Sequence, residues 1–252
     1  MRLSRDGSVA AMGDGHQHPH TISDEIRHLL VSDHRIAWAV AVGLWAVALS
    51  LFILIAIPPT REVLDDFDLA VYEAVFPFKV GVLTALAHVF DFLGGAIFVW
   101  SVRALVTLWL IVRRRWAALS VWWLAIVLSE PAVGILKAAY DRPRPPVSLV
   151  ETFTAAFPSG HAVAGAVVAI SLVVVFVPAG PRRRNLEVLA ATFALLMAGS
   201  RVYLGAHWLT DVIAGVAFGA ACAIGAAAAV HWWTEDRGTT RSPQAGEASS
   251  LT

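Results

Sequence analysis

Apolar residues along this chain are grouped into long runs that are separated by short polar segments. Each run holds about 20 residues, which is the length an α-helix needs to cross the hydrocarbon core of a bilayer. The pattern therefore predicts an all-α protein, a bundle of six transmembrane helices. The spans are expected at about Ile36–Ile57, Gly94–Val112, Trp116–Lys137, His161–Val177, Leu186–Val202 and Trp208–Trp232.

The segment 58–93, between the first two spans, has a mixed pattern. Its amphipathic stretch 80–90, VGVLTALAHVF, is too short and too interrupted to be a span by itself. We expect an interfacial or re-entrant helix here, in the first outer loop. An acidic cluster opens the segment and comprises Glu62, Asp65, Asp66 and Asp68.

Composition agrees with a membrane protein and excludes some other classes. Hydrophobic residues make up 58% of the chain, and the mean hydropathy is +0.67, above what a soluble domain of this length shows. The formal net charge is zero, so no basic field indicates a nucleic-acid partner. The single cysteine, Cys222, cannot form an intrachain disulfide and says nothing about the redox compartment.

Arginine clusters set the predicted orientation, because cytoplasmic loops of membrane proteins carry an excess of Lys and Arg. Arg113–Arg115 follow the second span, Arg182–Arg184 separate the fourth from the fifth, and Arg27 and Arg35 precede the first. Six spans place these clusters and both termini on one side, which we expect to be the cytoplasmic face of the inner (plasma) membrane. The outer side then carries segments 58–93, 138–160 and 203–207.

The domain organisation follows from the same pattern. Residues 36–233 form the predicted membrane domain, and residues 1–35 and 234–252 are expected to be polar, disordered cytoplasmic tails. The first tail lacks the apolar core of a cleavable signal peptide. Its histidines leave a weak metal site open, although a flexible tail is the simpler interpretation. These histidines are His16, His18 and His20.

Polar side chains recur at three span ends, all on the predicted outer side. The first group is Lys137 and Arg144, the second is Ser159, Gly160 and His161, and the third is Arg201, His207 and Asp211. The orientation was inferred from loop charge alone, and it brings the three groups to one face. That convergence indicates one site rather than three separate features.

The start of the fourth span is suited to bind an anion. A helix N-terminus presents free N–H groups and a partial positive charge. Ser159 can cap this end, and Gly160 lets the backbone approach a ligand closely. The cations of the other groups would repel one another without an anion between them, and a phosphate pairs well with guanidinium groups. The predicted phosphate-binding residues are Lys137, Arg144, Ser159, Gly160 and Arg201.

Two histidines supply candidate chemistry. His207 and Asp211 are spaced i, i+4, so on a helix they would share a face. A carboxylate bonded to one imidazole nitrogen fixes the tautomer and makes the other nitrogen more basic. His207 is therefore the candidate nucleophile. His161 has no such partner nearby in the sequence, and it is suited to act as the general acid that protonates a leaving alkoxide.

Each of these residues alone is more often structural, but their combination resembles a known family. Lys137 lies six residues before Arg144-Pro145, the second group reads PSGH, and Ser200-Arg201 lies five residues before His207. This is similar to the three-part signature of the type 2 phosphatidate phosphatase superfamily, which contains lipid phosphate phosphatases. The signature occupies residues 137–211, and no motif position departs from it.

The resemblance implies a metal-independent phosphatase without a cofactor, working through a phosphohistidine. His207 would attack phosphorus, Asp211 would orient it, and His161 would protonate the leaving group and later activate water. The five phosphate-binding residues named above would hold the phosphate. Ser200 belongs to the signature, but its chemistry suggests no role.

The substrate stays open at this stage. The partner is expected to be a lipid in the bilayer, with undecaprenyl pyrophosphate ranked level with the glycerolipids phosphatidate and phosphatidylglycerol phosphate. A phosphotransferase using the same histidine is a second possibility. A non-catalytic lipid-binding or transport protein is a third, and it is disfavoured because both histidines are present.

Other charged residues are left without an assigned role. Arg103 and Glu130 lie deep within their spans, and charges there tend to pair, so an intramembrane ion pair is predicted, with inward snorkelling of Arg103 as the alternative. The loop residues Asp141, Arg142 and Glu151 are candidates to tune headgroup preference. His88 and Asp91 are candidates to line the lipid entry.

Overall fold

The computed structural model describes residues 34–239 of the chain. Two parts of the chain lie outside this range. One is the predicted first tail with its three histidines, apart from its last two residues, and the other is the end of the second tail, residues 240–252. Helices are the only regular secondary structure in the described part, as the pattern predicts, and an irregular loop occupies residues 141–159. Its helices are α1 (His34–Ala56), α2 (Pro58–Val75), α3 (Gly81–Gly94), α4 (Ala96–Val112), α5 (Trp116–Tyr140), α6 (Gly160–Phe176), α7 (Pro181–Tyr203) and α8 (Leu209–Thr239).

Every predicted span corresponds to a helix, although their lengths differ. Within the described range, α1, α5, α7 and α8 are long and apolar enough to cross a membrane. α3 and α4 qualify together as one bent unit with an angle of 51° between them. α6 is apolar but has only 17 residues. Four to five helices therefore meet the length and composition of a span.

The first outer loop differs from the prediction of one helix. It contains two, α2 and α3, and Gly94 ends α3 instead of opening the second span. Gly95 has an extended backbone between α3 and α4, so the chain turns there and the two helices cannot form one straight rod. At the other end of the chain, α8 continues to Thr239, past the predicted boundary at 234.

Local signals explain where the helices near the site begin and end. Pro58 and Pro181 occupy the first turns of α2 and α7, where a missing N–H has no helical partner to lose. Asp141 closes α5 in the left-handed conformation, with φ of 39°, as C-terminal residues of helices often do. Ser159 precedes α6, and its hydroxyl accepts a hydrogen bond from the Ala162 amide at 3.5 Å.

The core surrounds α8, which packs against α1, α5, α6 and α7. Aromatic side chains fill the end of the core that lies near the start of α6. The Phe52 ring lies edge-to-face with that of Phe157 at 5.6 Å and with that of Phe218 at 5.9 Å. Trp122, in the first half of α5, is fully buried in the same core cluster. Elsewhere the core consists largely of alanine and valine, which lets the helices approach closely.

Gly215 and Gly219 of α8 show how close that approach is. A Cβ atom at Gly219 would lie 2.6 Å from the carbonyl oxygen of Val163, and one at Gly215 would lie 2.8 Å from that of Ser159. These are backbone atoms of α6 and its cap, so they cannot move aside cheaply. The GxxxG pattern of the last span therefore marks the contact between α8 and α6.

Replacing Gly219 with alanine is expected to destabilise the protein by about 1–3 kcal/mol, because overpacking forces the backbones apart. Gly225→Ala on the same helix is the matched control, since its Cβ would meet nothing within 4 Å. The thermal midpoint in detergent, followed by intrinsic fluorescence, measures both variants. Equal midpoints for the two would show that α6 and α8 are not in tight contact at Gly219.

The predicted ion pair between Arg103 and Glu130 is confirmed. The Arg103 Nη2 atom lies 2.5 Å from a Glu130 carboxylate oxygen, and the guanidinium also stacks over the Trp100 ring at 4.8 Å. Arg103 is 1% exposed, so it does not snorkel. The pair joins α4 to α5 two helical turns before Lys137.

Candidate active site

Three parts of the chain meet at one end of the bundle, as predicted. The end of α5 with the loop after it brings Lys137 and Arg144, the start of α6 brings Ser159, Gly160 and His161, and the turn between α7 and α8 brings Arg201, His207 and Asp211. The Ser159 amide donates to the Asp211 carbonyl oxygen at 3.1 Å. That bond fixes the start of α6 against the start of α8.

His207 lies at the centre of the site and is 3% exposed. Its Nδ1–H donates to a carboxylate oxygen of Asp211 at 3.4 Å, which leaves Nε2 as the free base. The pairing is the predicted one, but its local geometry differs. His207 lies in the turn before α8, and Asp211, in the first turn, also accepts the Trp208 amide at 2.9 Å. A turn held by the carboxylate, rather than one helical face, therefore aligns the pair.

The surroundings of His207 keep it neutral. Burial lowers its pKa well below the ordinary value, and the positive charges of Arg144, Lys137 and Arg201 lower the pKa further. A neutral imidazole has the free electron pair that a nucleophile needs. Arg144 Nη1 donates to His207 Nε2 at 3.2 Å.

The predicted cations converge on this histidine. Arg144 is held by the carbonyl oxygens of Thr154 at 2.7 Å and Ala206 at 2.5 Å. Burial lowers its pKa, as does the nearby charge of Arg201. Lys137 donates to the Ala155 carbonyl oxygen. Three positive groups so close together, partly removed from water, make a site for an anion.

Arg201 and the start of α6 have unused hydrogen-bonding capacity. Arg201 is 3% exposed, and its Nε–H is buried without a hydrogen-bond partner in the described part of the chain. A Cβ at Gly160 would meet only a Val133 methyl group, at 3.9 Å, so space is open beside the helix N-terminus. A buried donor without a partner is costly, and a bound phosphate oxygen would satisfy it.

His161 has a partner that the sequence did not reveal. Its Nε2 lies 3.2 Å from the main-chain carbonyl oxygen of Asp91 and 3.4 Å from the carboxylate of the same residue. The same carboxylate forms an ion pair with Arg201. Asp91, near the end of α3, had been a candidate for the lipid entry, and the structure places it in the site instead.

Arg142 is the clearest correction to the sequence interpretation. It was grouped with Asp141 and Glu151 as a loop residue that tunes headgroup preference, but it is 1% exposed. Its guanidinium lies 2.6 Å from Asp211 and 2.8 Å from Asp68 of α2. Arg142 therefore lies behind the pair of His207 and Asp211, where it cannot meet a headgroup.

Further contacts complete this buried network. Arg142 also pairs with Asp65 and donates to the Thr210 hydroxyl at 2.8 Å, and Asp68 accepts the Thr210 amide at 3.0 Å. Burial alone would lower the pKa of Arg142, but the carboxylates of Asp211, Asp65 and Asp68 outweigh it and raise the pKa. The acidic cluster of the first outer loop was the one sequence signal for this network.

Ser200 has a structural role. Its hydroxyl donates to the Met197 carbonyl oxygen at 2.6 Å within α7, so it faces its own helix. Asp141 and Glu151 are exposed.

Across residues 34–239, no group of three or more His, Cys, Asp or Glu side chains is arranged to hold a metal ion.

Comparison with known proteins places this geometry in context. The PAP2 superfamily model matches residues 118–235, which include all eight predicted site residues and exclude α2 and α3. Phosphatidylglycerophosphatase B of Bacillus subtilis (strain 168) is 36% identical over 90 residues, which cover 34% of this chain and 44% of the relative. The aligned region thus spans less than half of that relative.

Two solved structures share the fold. The crystal structure of a transmembrane PAP2 type phosphatidylglycerolphosphate phosphatase from Bacillus subtilis superposes with a TM-score of 0.63 at 23% identity, covering 78% of this chain and 96% of that one. The crystal structure of Aquifex aeolicus LpxE superposes with a TM-score of 0.53 at 22% identity, covering 63% of this chain and 93% of that one. At these identities the likeness concerns the fold.

Proposed function

We propose that the chain is a membrane-bound, metal-independent lipid phosphatase of the PAP2 superfamily, whose model matches residues 118–235, and that it works through a phosphohistidine. The observation that carries the proposal is the neutral, carboxylate-bound His207 at the focus of three cations and a helix N-terminus. That arrangement holds a phosphate and presents a nucleophile to it.

In the first step the Nε2 atom of His207 attacks phosphorus and the bond from phosphorus to the leaving oxygen breaks. His161, protonated, gives its proton to that oxygen. The Nδ1–H of His207 stays bonded to Asp211, which stabilises the positive imidazole ring while the new bond forms. The Arg144 N–H that contacts Nε2 turns to a phosphate oxygen when the substrate is bound.

In the second step the now neutral His161 removes a proton from water. The water oxygen attacks phosphorus, the bond between nitrogen and phosphorus breaks, and inorganic phosphate leaves. His207 returns to its neutral form, and His161 is again protonated. In both steps the oxygens around phosphorus carry negative charge, which Lys137, Arg144, Arg201 and the α6 amides stabilise.

The site is proposed to face the extracytoplasmic side of the inner membrane, in a six-span arrangement with both termini cytoplasmic. The support is the placement of charge along the helices. The arginine clusters 113–115 and 182–184 lie at the opposite helix ends from the site. By the bias of cytoplasmic loops towards Lys and Arg, the site end is the outer one.

The substrate is proposed to be a lipid phosphate or pyrophosphate whose tail stays in the bilayer. The name of the Bacillus relative makes phosphatidylglycerol phosphate a candidate beside phosphatidate and undecaprenyl pyrophosphate. The shared chemistry is a phosphate headgroup on an apolar tail. A phosphotransferase would use the same first step and replace water by a second lipid.

Detergent-purified protein should release phosphate from at least one member of a panel containing these three lipids and lysophosphatidate, with excess EDTA present. Activity that EDTA abolishes would overturn the metal-independent mechanism. Phosphate that moves to an added lipid alcohol rather than to water would identify the phosphotransferase. Absence of both release and transfer, in protein shown to be folded, would contradict the proposed enzyme.

A further inference from the structure

We propose that Asp91 of α3 is a positioning residue that holds His161 and pairs with Arg201, the cation that an incoming phosphate must share with it. The inference rests on the proposed function, since it assigns roles relative to the general acid and the phosphate site. It adds to the site an element that lies outside the matched domain, residues 118–235.

α3 is fixed against α7 at its beginning and along its length. The Tyr203 hydroxyl accepts the Val80 amide at 3.0 Å and lies 2.9 Å from the Thr84 hydroxyl. Further along, the rings of Phe90 and Phe193 are 5.7 Å apart. These contacts hold α3 against α7, so α3 forms one side of the site.

At Gly94, near its end, α3 contacts His161. A Cβ atom added to Gly94 would lie 2.4 Å from His161 Cδ2 and 3.1 Å from Met197 Sδ. The absent side chain is what allows α3 to reach the imidazole. Asp91, one helical turn earlier, is then placed beside His161 Nε2.

Asp91 contacts both groups with one carboxylate oxygen. That oxygen pairs with Arg201 Nη1 and lies 3.4 Å from His161 Nε2, while the carbonyl oxygen of Asp91 lies 3.2 Å from the same nitrogen. The remaining charged or titratable groups that act on His161 are Arg201, Arg144 and His207. Among these neighbours Asp91 is the acidic one, so it favours the protonated imidazole that a general acid requires.

The same carboxylate opposes phosphate binding. Its negative charge occupies one side of Arg201, and an incoming phosphate must share that cation with it. Arg201 Nε has no hydrogen-bond partner in the described residues, and it remains available to the ligand. Asp91 therefore has two effects of opposite sign: it supports proton transfer by His161 and weakens the hold on a phosphate anion.

Asp91→Asn separates these effects, because it removes the charge and keeps the shape. We expect the dissociation constant of inorganic phosphate to fall roughly tenfold. Titration calorimetry on the detergent-purified full chain measures it. We expect kcat to fall by roughly 10- to 100-fold, because the variant loses only part of the rate enhancement that a general acid contributes. In the pH profile of kcat, the fall in rate on the alkaline side should move to lower pH, because His161 then loses its proton more readily.

Two variants serve as controls. Asp91→Glu keeps the charge and should keep phosphate affinity and the pH limb within about threefold of the unmodified protein, because the carboxylate still reaches both groups. Asp141→Asn removes an exposed charge from the loop between two phosphate-binding residues, at a left-handed position where Asn is well tolerated, and should change neither quantity.

The outcomes are separable. If Asp91→Asn binds phosphate no more tightly and leaves the pH limb in place, the proposal is wrong. If the unmodified protein hydrolyses no lipid, the proposed function fails, and phosphate affinity alone still decides whether Asp91 competes for Arg201. Should Asp91→Asn not fold, Asp91→Ser also removes the charge and takes its place: tighter phosphate binding by Asp91→Ser than by Asp141→Asn would support the competition, and equal binding would contradict it.

Discussion

Replacing His207 with alanine is expected to lower phosphate release by at least about 10⁴-fold, the scale on which removal of a nucleophile acts. The reason is that no other described side chain combines a free imidazole nitrogen, burial among the cations and a carboxylate on the opposite nitrogen. The substitution leaves the ion pair of Arg142 with Asp211 in place, so folding should persist. Steady-state release from the best lipid of the panel measures the effect.

Two comparisons make this result specific. His88→Ala removes an exposed histidine of α3 and should leave kcat close to that of the unmodified protein. Inorganic phosphate should still bind to His207→Ala, because the cations and the α6 N-terminus remain. A variant that turned over lipid at more than about one hundredth of the normal rate would exclude His207 as nucleophile.

Replacing Arg142 with alanine is expected to cost about 3–5 kcal/mol of stability, because it leaves buried carboxylates without their counter-ion. Asp68 and Asp211 are both 0% exposed in their side chains and both pair with this guanidinium. Activity should fall as well, since Asp211 then no longer has a fixed position against His207. The thermal midpoint and kcat, measured on the same preparation, report the two effects.

Arg182→Ala is the control for Arg142, since Arg182 is an exposed arginine at the opposite end of the bundle. Neutralising a carboxylate in the same network should partly rescue the loss. The double variant Arg142→Ala with Asp68→Asn is expected to be more stable than the sum of the single effects. Equal midpoints for Arg142→Ala and Arg182→Ala would contradict a stabilising network behind His207 and Asp211.

The helices and the convergence of the eight candidate site residues could be predicted from the sequence because both signals are local. Runs of apolar residues define the helices by length and composition, and His207 with Asp211, or Ser159 with Gly160, are close neighbours in the chain. The prediction that His207 and Asp211 share one helical face was wrong, and the reason is also local. A spacing of four residues fits a helix, but it equally fits the turn that Asp211 closes before α8.

Asp91, Arg142 and Asp68 could not be assigned in the same way because their partners are distant in the chain. Asp91 meets Arg201 across 110 positions, and Arg142 meets Asp68 across 74. Whether a charged loop residue is solvated or buried depends on which helix packs over it, and α2 and α3 have weak or mixed hydropathy patterns. The contributions of these two helices to the site became visible only in the fold.

The central claim, a two-step reaction through His207, is tested most directly by the stereochemical course at phosphorus. The substrate would be a lipid phosphorothioate made chiral with oxygen isotopes, hydrolysed by the purified full chain in the presence of EDTA. Two successive in-line displacements, first by histidine and then by water, predict retention of configuration in the released thiophosphate. Inversion would mean that water attacks the lipid phosphate directly, and it would contradict the phosphohistidine.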